Sequence, residues 1–84
     1  RRMTQMELRG AATTPPTMSL TVNGEPRAVA DGTTLGALLR ELGLDPRMIV
    51  VERNRAILRD RTAYGAVVLE DGDVLELVHF VGGG

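Results

Sequence analysis

Short apolar runs alternate with polar turns along this chain, and the spacing predicts strands around a single helix. Leu20 and Val22 alternate with polar neighbours just before an Asn-Gly pair at 23–24. Because Asn-Gly readily adopts the positive φ angles of a two-residue turn, this region is predicted to form a β-hairpin. Pro26 lacks a backbone donor, which favours an edge position for the second strand of the hairpin.

One stretch has the period of an amphipathic helix. The helix is predicted to begin after Thr33 or Thr34, since a threonine side chain can accept a backbone hydrogen bond at the N-cap. Gly43 and Pro46 are typical of its C-terminal end. Gly36 costs about 1 kcal/mol of helix propensity, and we expect close packing on a sheet to be the reason for it. The apolar face of the helix consists of four leucines, Leu35, Leu38, Leu39 and Leu42.

The second half of the chain predicts three more strands. Residues 48–51 form a continuous apolar run, which is typical of a strand that is buried on both faces and central in a sheet. A short strand follows at Ala56–Leu58. A turn at Asp71-Gly72 precedes a final strand at about 73–81. Within that strand Leu75 and Leu77 share one face, whereas the other face consists of Val74, Glu76, Val78 and Phe80.

This order of elements predicts a two-layer α+β domain, because one helix can cover only one face of a sheet. We expect the first and last strands to pair in parallel at the centre of a mixed sheet of four to five strands. This is the ubiquitin-like β-grasp arrangement. The domain is predicted to span 18–84. Residues 1–17 end in a Thr- and Pro-rich stretch and are predicted to be a flexible N-terminal extension.

Composition excludes several classes of function. The 84 residues include no cysteine and one histidine, so cysteine chemistry is excluded and a zinc site is not expected. An excess of acidic residues in 18–84 and only two aromatic residues argue against nucleic-acid binding. No run approaches the ~20 apolar residues of a membrane span. The N-terminus also lacks the apolar region of a secretory signal, so we expect a cytoplasmic protein.

The chain ends in three glycines directly after a hydrophobic strand. No catalytic constellation, phosphate-binding loop or metal cluster is apparent, so the protein is not expected to be an enzyme. Without side chains, Gly82 and Gly83 can thread into the narrow active site of a partner, and the three glycines reach about 10 Å. We therefore expect the α-carboxylate of Gly84 to be a reactive group that another enzyme activates. A frayed end is the alternative.

Four stretches carry a resemblance to a known family: VNGEP, TTLGALLRELGL, VVERN and LEDGDVLELVHFVGGG. Over 18–84 the chain resembles the ThiS-type sulfur carrier proteins of thiamine biosynthesis. The resemblance implies that an E1-like adenylating enzyme activates the C-terminal carboxylate with ATP. A cysteine desulfurase or another sulfur donor then converts Gly84 to a thiocarboxylate, and thiazole synthase receives the sulfur. The protein would bind no permanent cofactor of its own.

Partner docking is expected next to the tail. Phe80 either completes the core or anchors a partner, and strand alternation favours the second interpretation. Val78 lies on the same predicted face and Val81 follows, so both are included in the predicted docking surface.

Charged residues supply two further hypotheses. A predicted acidic patch contains Glu70, Asp73 and Glu76 beside Asp71, and it would attract a basic partner surface. A solvated turn is the alternative and is preferred for Asp71. Four arginines, Arg53, Arg55, Arg59 and Arg61, are predicted to form a solvated edge that discourages strand-to-strand aggregation.

Three other functions remain open at this point. The small subunit of molybdopterin synthase uses the same tail chemistry with a different acceptor. A ubiquitin-like modifier would form an isopeptide bond through Gly84. A non-covalent β-grasp binding module would not need a free terminal glycine, so one residue added after Gly84 would leave it unaffected and would abolish a carrier.

Overall fold

The structure is a computed structural model that describes residues 16–80; the predictions for residues 1–15 and for 81–84 lie outside these residues. β1 begins at Thr17, one residue before the predicted start of the domain. Two short 3-10 helices, Pro46–Met48 and Arg61–Ala66, connect the larger elements. Those elements are β1 (Thr17–Val22), β2 (Glu25–Ala30), α1 (Leu35–Glu41), β3 (Ile49–Arg53), β4 (Ala56–Leu58) and β5 (Val74–His79).

The strands form one mixed sheet in the order β2-β1-β5-β3-β4. β1 and β5 are parallel, and the other neighbours are antiparallel. The helix packs on one face of this sheet, so the expected α+β architecture and the ubiquitin-like β-grasp arrangement are confirmed. The parallel pairing of the first and last strands is also confirmed, and β5 is the central strand.

β3 is an interior strand of the sheet, but the prediction that it is buried on both faces is wrong. β3 lies between β5 and the edge strand β4. Ile49 and Val51 are fully buried on the helix side, but Val50 between them is only half-buried. A single helix leaves the opposite face of the sheet open, so the apolar run was a poor guide to two-sided burial.

The local signals for the hairpin and the helix are confirmed. Asn23 and Gly24 both have positive φ angles, 51° and 83°, as the turn requires. Thr34 is the N-cap residue, and its Oγ1 accepts a hydrogen bond from the backbone N of Ala37 at 3.1 Å. Gly43 follows the helix with a φ of 74°, and Leu44 N donates back into the last turn.

The core lies between the helix and the covered face of the sheet. Tyr64 closes it from the second 3-10 helix, and its hydroxyl donates a hydrogen bond to the carbonyl oxygen of Leu58 at 3.2 Å. The residues that are buried in this cluster are Met18, Leu20, Val29, Leu35, Leu38, Leu39, Ile49, Val51, Tyr64, Leu69, Leu75 and Leu77.

Gly36 is required by a close contact, although not by the sheet as the sequence predicted. A Cβ atom at this position would lie 3.0 Å from the Cα atom of Gly65 and 3.4 Å from its backbone N. Gly65 belongs to the second 3-10 helix, Arg61–Ala66. The two glycines therefore let this segment approach the first turn of α1.

Replacing Gly36 with valine is expected to lower the free energy of unfolding by about 1–3 kcal/mol, because the new side chain overlaps backbone atoms that have little room to move. The matched control is Arg40→Val, which places the same β-branched residue on the exposed face of α1. Thermal unfolding of both variants measures the difference. Equal stability of the two variants would show that the contact with Gly65 carries no strain.

Candidate functional site

The two faces of the last strand, β5, differ in burial. Leu75 and Leu77 are buried under the helix, whereas Val74 and Val78 are 43% and 58% exposed on the opposite face. Phe80 follows the strand and is 39% exposed. Its backbone N donates to the carbonyl oxygen of Met48 at 3.0 Å, so the chain remains bound to the sheet up to the last described residue.

Several large apolar side chains lie on the face of the sheet that the helix does not cover. β5 contributes Val74 and Val78, β4 contributes Ile57, and Val50 of β3 is directly opposite Val78. We call Val50, Ile57, Val74, Val78 and Phe80 the open-face patch. Apolar side chains that are grouped on one open face of a sheet are typical of docking surfaces.

Two carboxylates interrupt the open-face patch. Glu76 lies between Val74 and Val78 along β5, and its partner in the register of β3 is Glu52. Like charges directly opposite one another destabilise a pair of strands. These two opposed glutamates therefore lower the stability of the free domain, but they would favour the binding of a partner that supplies basic groups. Glu76 was a predicted docking residue, but Glu52 was missed because only the cross-strand register brings it there.

Phe80 is held in place by an arginine. The guanidinium carbon of Arg61 lies 5.6 Å from the centre of the Phe80 ring, within the range of a cation–π contact. Arg61 Nε also donates to the carbonyl oxygen of Ile49 at 3.2 Å. Arg61 is exposed, as predicted for the solvated edge, but it also makes these two contacts, which were not predicted. The side chain of Phe80 is partly covered by Arg61 and partly exposed to solvent, so Phe80 is neither a core residue nor a fully exposed one.

The acidic patch is smaller than predicted. Asp73 is only 5% exposed, and its carboxylate lies 2.8 Å from the guanidinium of Arg53. It also accepts hydrogen bonds from the backbone N of Glu70 and from Asn54 Nδ2, both at 2.9 Å. The inclusion of Asp73 in an exposed docking patch is therefore wrong, as is the solvated role for Arg53. Glu70 and Glu76 remain exposed.

This buried carboxylate sets the beginning of β5. Burial alone would raise the pKa of Asp73, but hydrogen bonds from Asn54, Glu70 and Arg53 outweigh it and hold the pKa below its usual value. Asn54 Oδ1 in turn accepts from Val74 N at 2.9 Å. Asp71 Oδ1 accepts from the backbone N of Ser19 at 2.7 Å, which ties the preceding turn to β1. Together these contacts fix the register of the strand that carries the open-face patch.

The predicted reactive end and its neighbour, Gly82–Gly84 and Val81, lie outside the described residues. Within residues 16–80, no group of histidine and acidic side chains is arranged to hold a metal ion. No helix in that part of the chain is both long and apolar enough to cross a bilayer.

A five-stranded β-grasp with one helix and an open, half-apolar sheet face defines a ubiquitin-like protein. The chain belongs to the ThiS family, whose family model matches residues 20–84. The resemblance read from the sequence is thereby confirmed.

Individual relatives agree with this family. The sulfur carrier protein ThiS of Bacillus subtilis is 44% identical over 54 residues, which cover 64% of this chain and 80% of that protein. A crystal structure of the thiamine biosynthesis protein ThiS of Geobacter metallireducens superposes with a TM-score of 0.68 at 38% identity, covering 80% of this chain and 100% of that one.

Longer relatives also contain a matching segment. The thiazole synthase of Magnetococcus marinus is 51% identical over 67 residues, or 80% of this chain. That of Paramagnetospirillum magneticum is 48% identical over the same length. The chain spans only about 20% of the length of these two relatives.

Proposed function

We propose that this protein is a sulfur carrier of thiamine biosynthesis. In this proposal the α-carboxylate of Gly84 carries the sulfur. The observation that carries the proposal is the match to the ThiS family, which runs through the glycines to residue 84. The name of the Bacillus subtilis relative, sulfur carrier protein ThiS, supports it.

The proposed chemistry takes place in partner enzymes. An E1-like enzyme joins the Gly84 carboxylate to the α-phosphate of ATP and releases pyrophosphate. A sulfur atom at the oxidation level of sulfide then attacks the acyl carbon, and AMP leaves. Where a cysteine desulfurase supplies a persulfide, a thiol must also reduce the acyl disulfide that forms. The thiocarboxylate is then delivered to thiazole synthase.

In this proposal the folded domain is the part of the protein that the partner enzymes bind. The open-face patch binds the activating enzyme, because it offers exposed apolar side chains next to the tail and a pair of glutamates for basic groups. In the same proposal Val81 also contacts the activating enzyme, and Gly82 and Gly83 thread into its active site. The cytoplasmic location and the absence of a permanently bound cofactor stay predictions.

The test of the proposal is the intact mass of the protein after incubation with ATP, the activating enzyme and a sulfur donor. We expect a mass increase that corresponds to the replacement of one oxygen by sulfur. The activating enzyme is first shown to be active on the Bacillus subtilis carrier. No adenylate and no thiocarboxylate would then contradict the proposal, as would a native protein whose mass extends beyond Gly84.

Replacing Val78 with serine is expected to weaken binding of the activating enzyme about five- to tenfold, since truncation of an apolar interface residue typically costs about 1 kcal/mol. Val78 is exposed, so we expect thermal stability to change little. The matched control is Val68→Ser, because Val68 is 53% exposed but lies outside the open-face patch. Affinities from calorimetry that fall equally in both variants would contradict docking through this patch.

A further inference from the structure

The second 3-10 helix is firmly attached to the rest of the domain. It begins at Arg61, and the carboxylate of the preceding residue, Asp60, accepts a hydrogen bond from the backbone N of Thr62 at 3.0 Å. Tyr64 is buried in the core, and Gly65 lies against the first turn of α1. The backbone that carries Arg61 is therefore fixed on both sides of this residue.

Arg61 connects this helix with the end of β5. Two consecutive carbonyl oxygens, at the junction between the first 3-10 helix and β3, are the acceptors. That of Met48 accepts from the backbone N of Phe80 at 3.0 Å, and that of Ile49 accepts from Arg61 Nε at 3.2 Å. With its guanidinium carbon 5.6 Å from the centre of the Phe80 ring, Arg61 limits the orientation of that ring.

No acidic side chain competes for this guanidinium in the part of the chain that the structure describes. The ion pairs among residues 16–80 join Arg47 to Asp45 and Arg53 to Asp73, so Arg61 belongs to neither. A partner on the open-face patch would cover the exposed side of the Phe80 ring. Because a cation–π contact becomes stronger when solvent is removed from it, we expect the contact to persist in the bound carrier.

The contact controls the direction in which the chain leaves β5. Both the backbone N and the ring of Phe80 are held, so the third substituent of its Cα atom, the carbonyl carbon, has little freedom. Four extended residues span about 13 Å, and a rotation of about 20° at Phe80 would displace their far end by about 4 Å. Misplacement of a reacting group by even 1 Å can cost about a hundredfold in rate.

We propose that Arg61 is a positioning residue for activation of the carrier. Acting through Phe80, it sets the direction in which the tail enters the active site of the activating enzyme. This role rests on the proposed function and adds a division of labour to it. The open-face patch determines how tightly the enzyme binds, and Arg61 determines whether the bound carboxylate lies in line for adenylation. Loss of docking therefore raises KM, whereas loss of positioning lowers kcat.

The test is Arg61→Met, which keeps most of the aliphatic stem and removes the cation and the Nε donor. We expect kcat for pyrophosphate release to fall at least about threefold and KM to stay within twofold, since loss of an exposed cation–π contact shifts a side-chain equilibrium about two- to fivefold. The melting temperature is expected to change little, because Arg61 is exposed. The matched control is Arg59→Met, which removes the same charge from a neighbouring exposed arginine and is expected to change neither constant.

A spectroscopic measurement tests the contact without any enzyme. Phe80 is the only phenylalanine in the chain, so labelled phenylalanine gives a single set of ring signals in an NMR spectrum. We expect these signals to shift in Arg61→Met and their relaxation to report greater motion of the ring. Phe80→Leu keeps an apolar side chain and removes the π face. It is expected to lower kcat as Arg61→Met does, and the double variant is expected to lower it no further.

Four results would overturn the assignment. Unchanged ring signals in Arg61→Met would show that the contact does not hold Phe80. A higher KM with an unchanged kcat would make Arg61 a docking residue. An equal fall of kcat in Arg59→Met would reveal a general effect of charge. Additive losses in the double variant would show that Arg61 does not act through Phe80.

The mass assay on the original protein keeps this inference separate from the proposed function. If the original protein gains sulfur and Arg61→Met is adenylated at the same rate, only the positioning role is overturned. If the original protein gains no sulfur from a competent activating enzyme, the proposed function is overturned, and the role of Arg61 in activation falls with it.

Discussion

A chain that ends at Gly83 is expected to lose sulfur loading while its fold stays intact. Deletion of Gly84 moves the carboxylate back by about 3.5 Å, the length of one extended residue. Misplacement of a reacting group by even 1 Å can cost about a hundredfold in rate, so we expect adenylation to fall at least about a hundredfold. Gly84 has no side chain to bury, so we expect no change in melting temperature. Pyrophosphate release and intact mass measure the two steps.

Two further variants make this test specific. An alanine added after Gly84 moves the carboxylate forward and is also expected to prevent loading. Deletion of Arg1 removes one residue from the other end and is expected to have no effect. Full loading of the chain that ends at Gly83 would contradict a specific role for the Gly84 carboxylate, whereas failure of the original protein to load would favour a non-covalent binding module.

The variant Asp73→Asn is expected to lose about 2–4 kcal/mol of stability, because one partner of a buried, hydrogen-bonded ion pair is removed. The amide keeps one acceptor oxygen in place of two, whereas the carboxylate accepts from Arg53, Asn54 and Glu70. For a domain of this size the melting temperature is expected to fall by roughly 10–30 °C. The matched control is Asp71→Asn, an exposed residue of the same turn.

Acid offers an independent check on Asp73. Its pKa is lowered in the folded protein, so the folded state binds a proton less readily than the unfolded chain, whose aspartates titrate near about 3.9. The stabilisation is therefore complete above that value and is lost as the pH falls through the folded pKa. We expect the stability difference between the original protein and Asp73→Asn to shrink as the pH falls from 7 towards about 2.

Asp45 does not complicate this comparison. Hydrogen bonds from the side chain and backbone of Arg47 lower its pKa to about 2. Because this exposed pair is the same in both proteins, its titration cancels in the difference. A difference in stability that stays constant across the acid range would show that Asp73 does not contribute through its charge.

Much of the fold could be read from local patterns. The Asn23-Gly24 turn, the N-cap at Thr34 and the glycine after the helix all depend on the conformational preferences of a few adjacent residues. The two faces of β5 also follow from strict alternation, and Val78 lies on the open side as predicted.

The errors concern charged residues and depth of burial. Arg53 and Asp73 were assigned to separate solvated surfaces, yet they form one buried pair across a separation of 20 residues. Arg61 is exposed as predicted, but its contact with the ring of Phe80 was not predicted. The charge of a side chain predicts that it will not be buried without a partner. It does not predict which distant residue that partner will be.

The sequence by itself determined the order of elements, because turns, caps and periodicity act between near neighbours. Its resemblance to the ThiS family implied the chemistry proposed for the glycine tail. Only the tertiary structure decided which faces and charges meet. It placed Glu52 opposite Glu76 and enclosed Asp73. The physical reason is that strand register and helix packing bring together groups far apart in the chain, and those contacts set burial and hydrogen bonding.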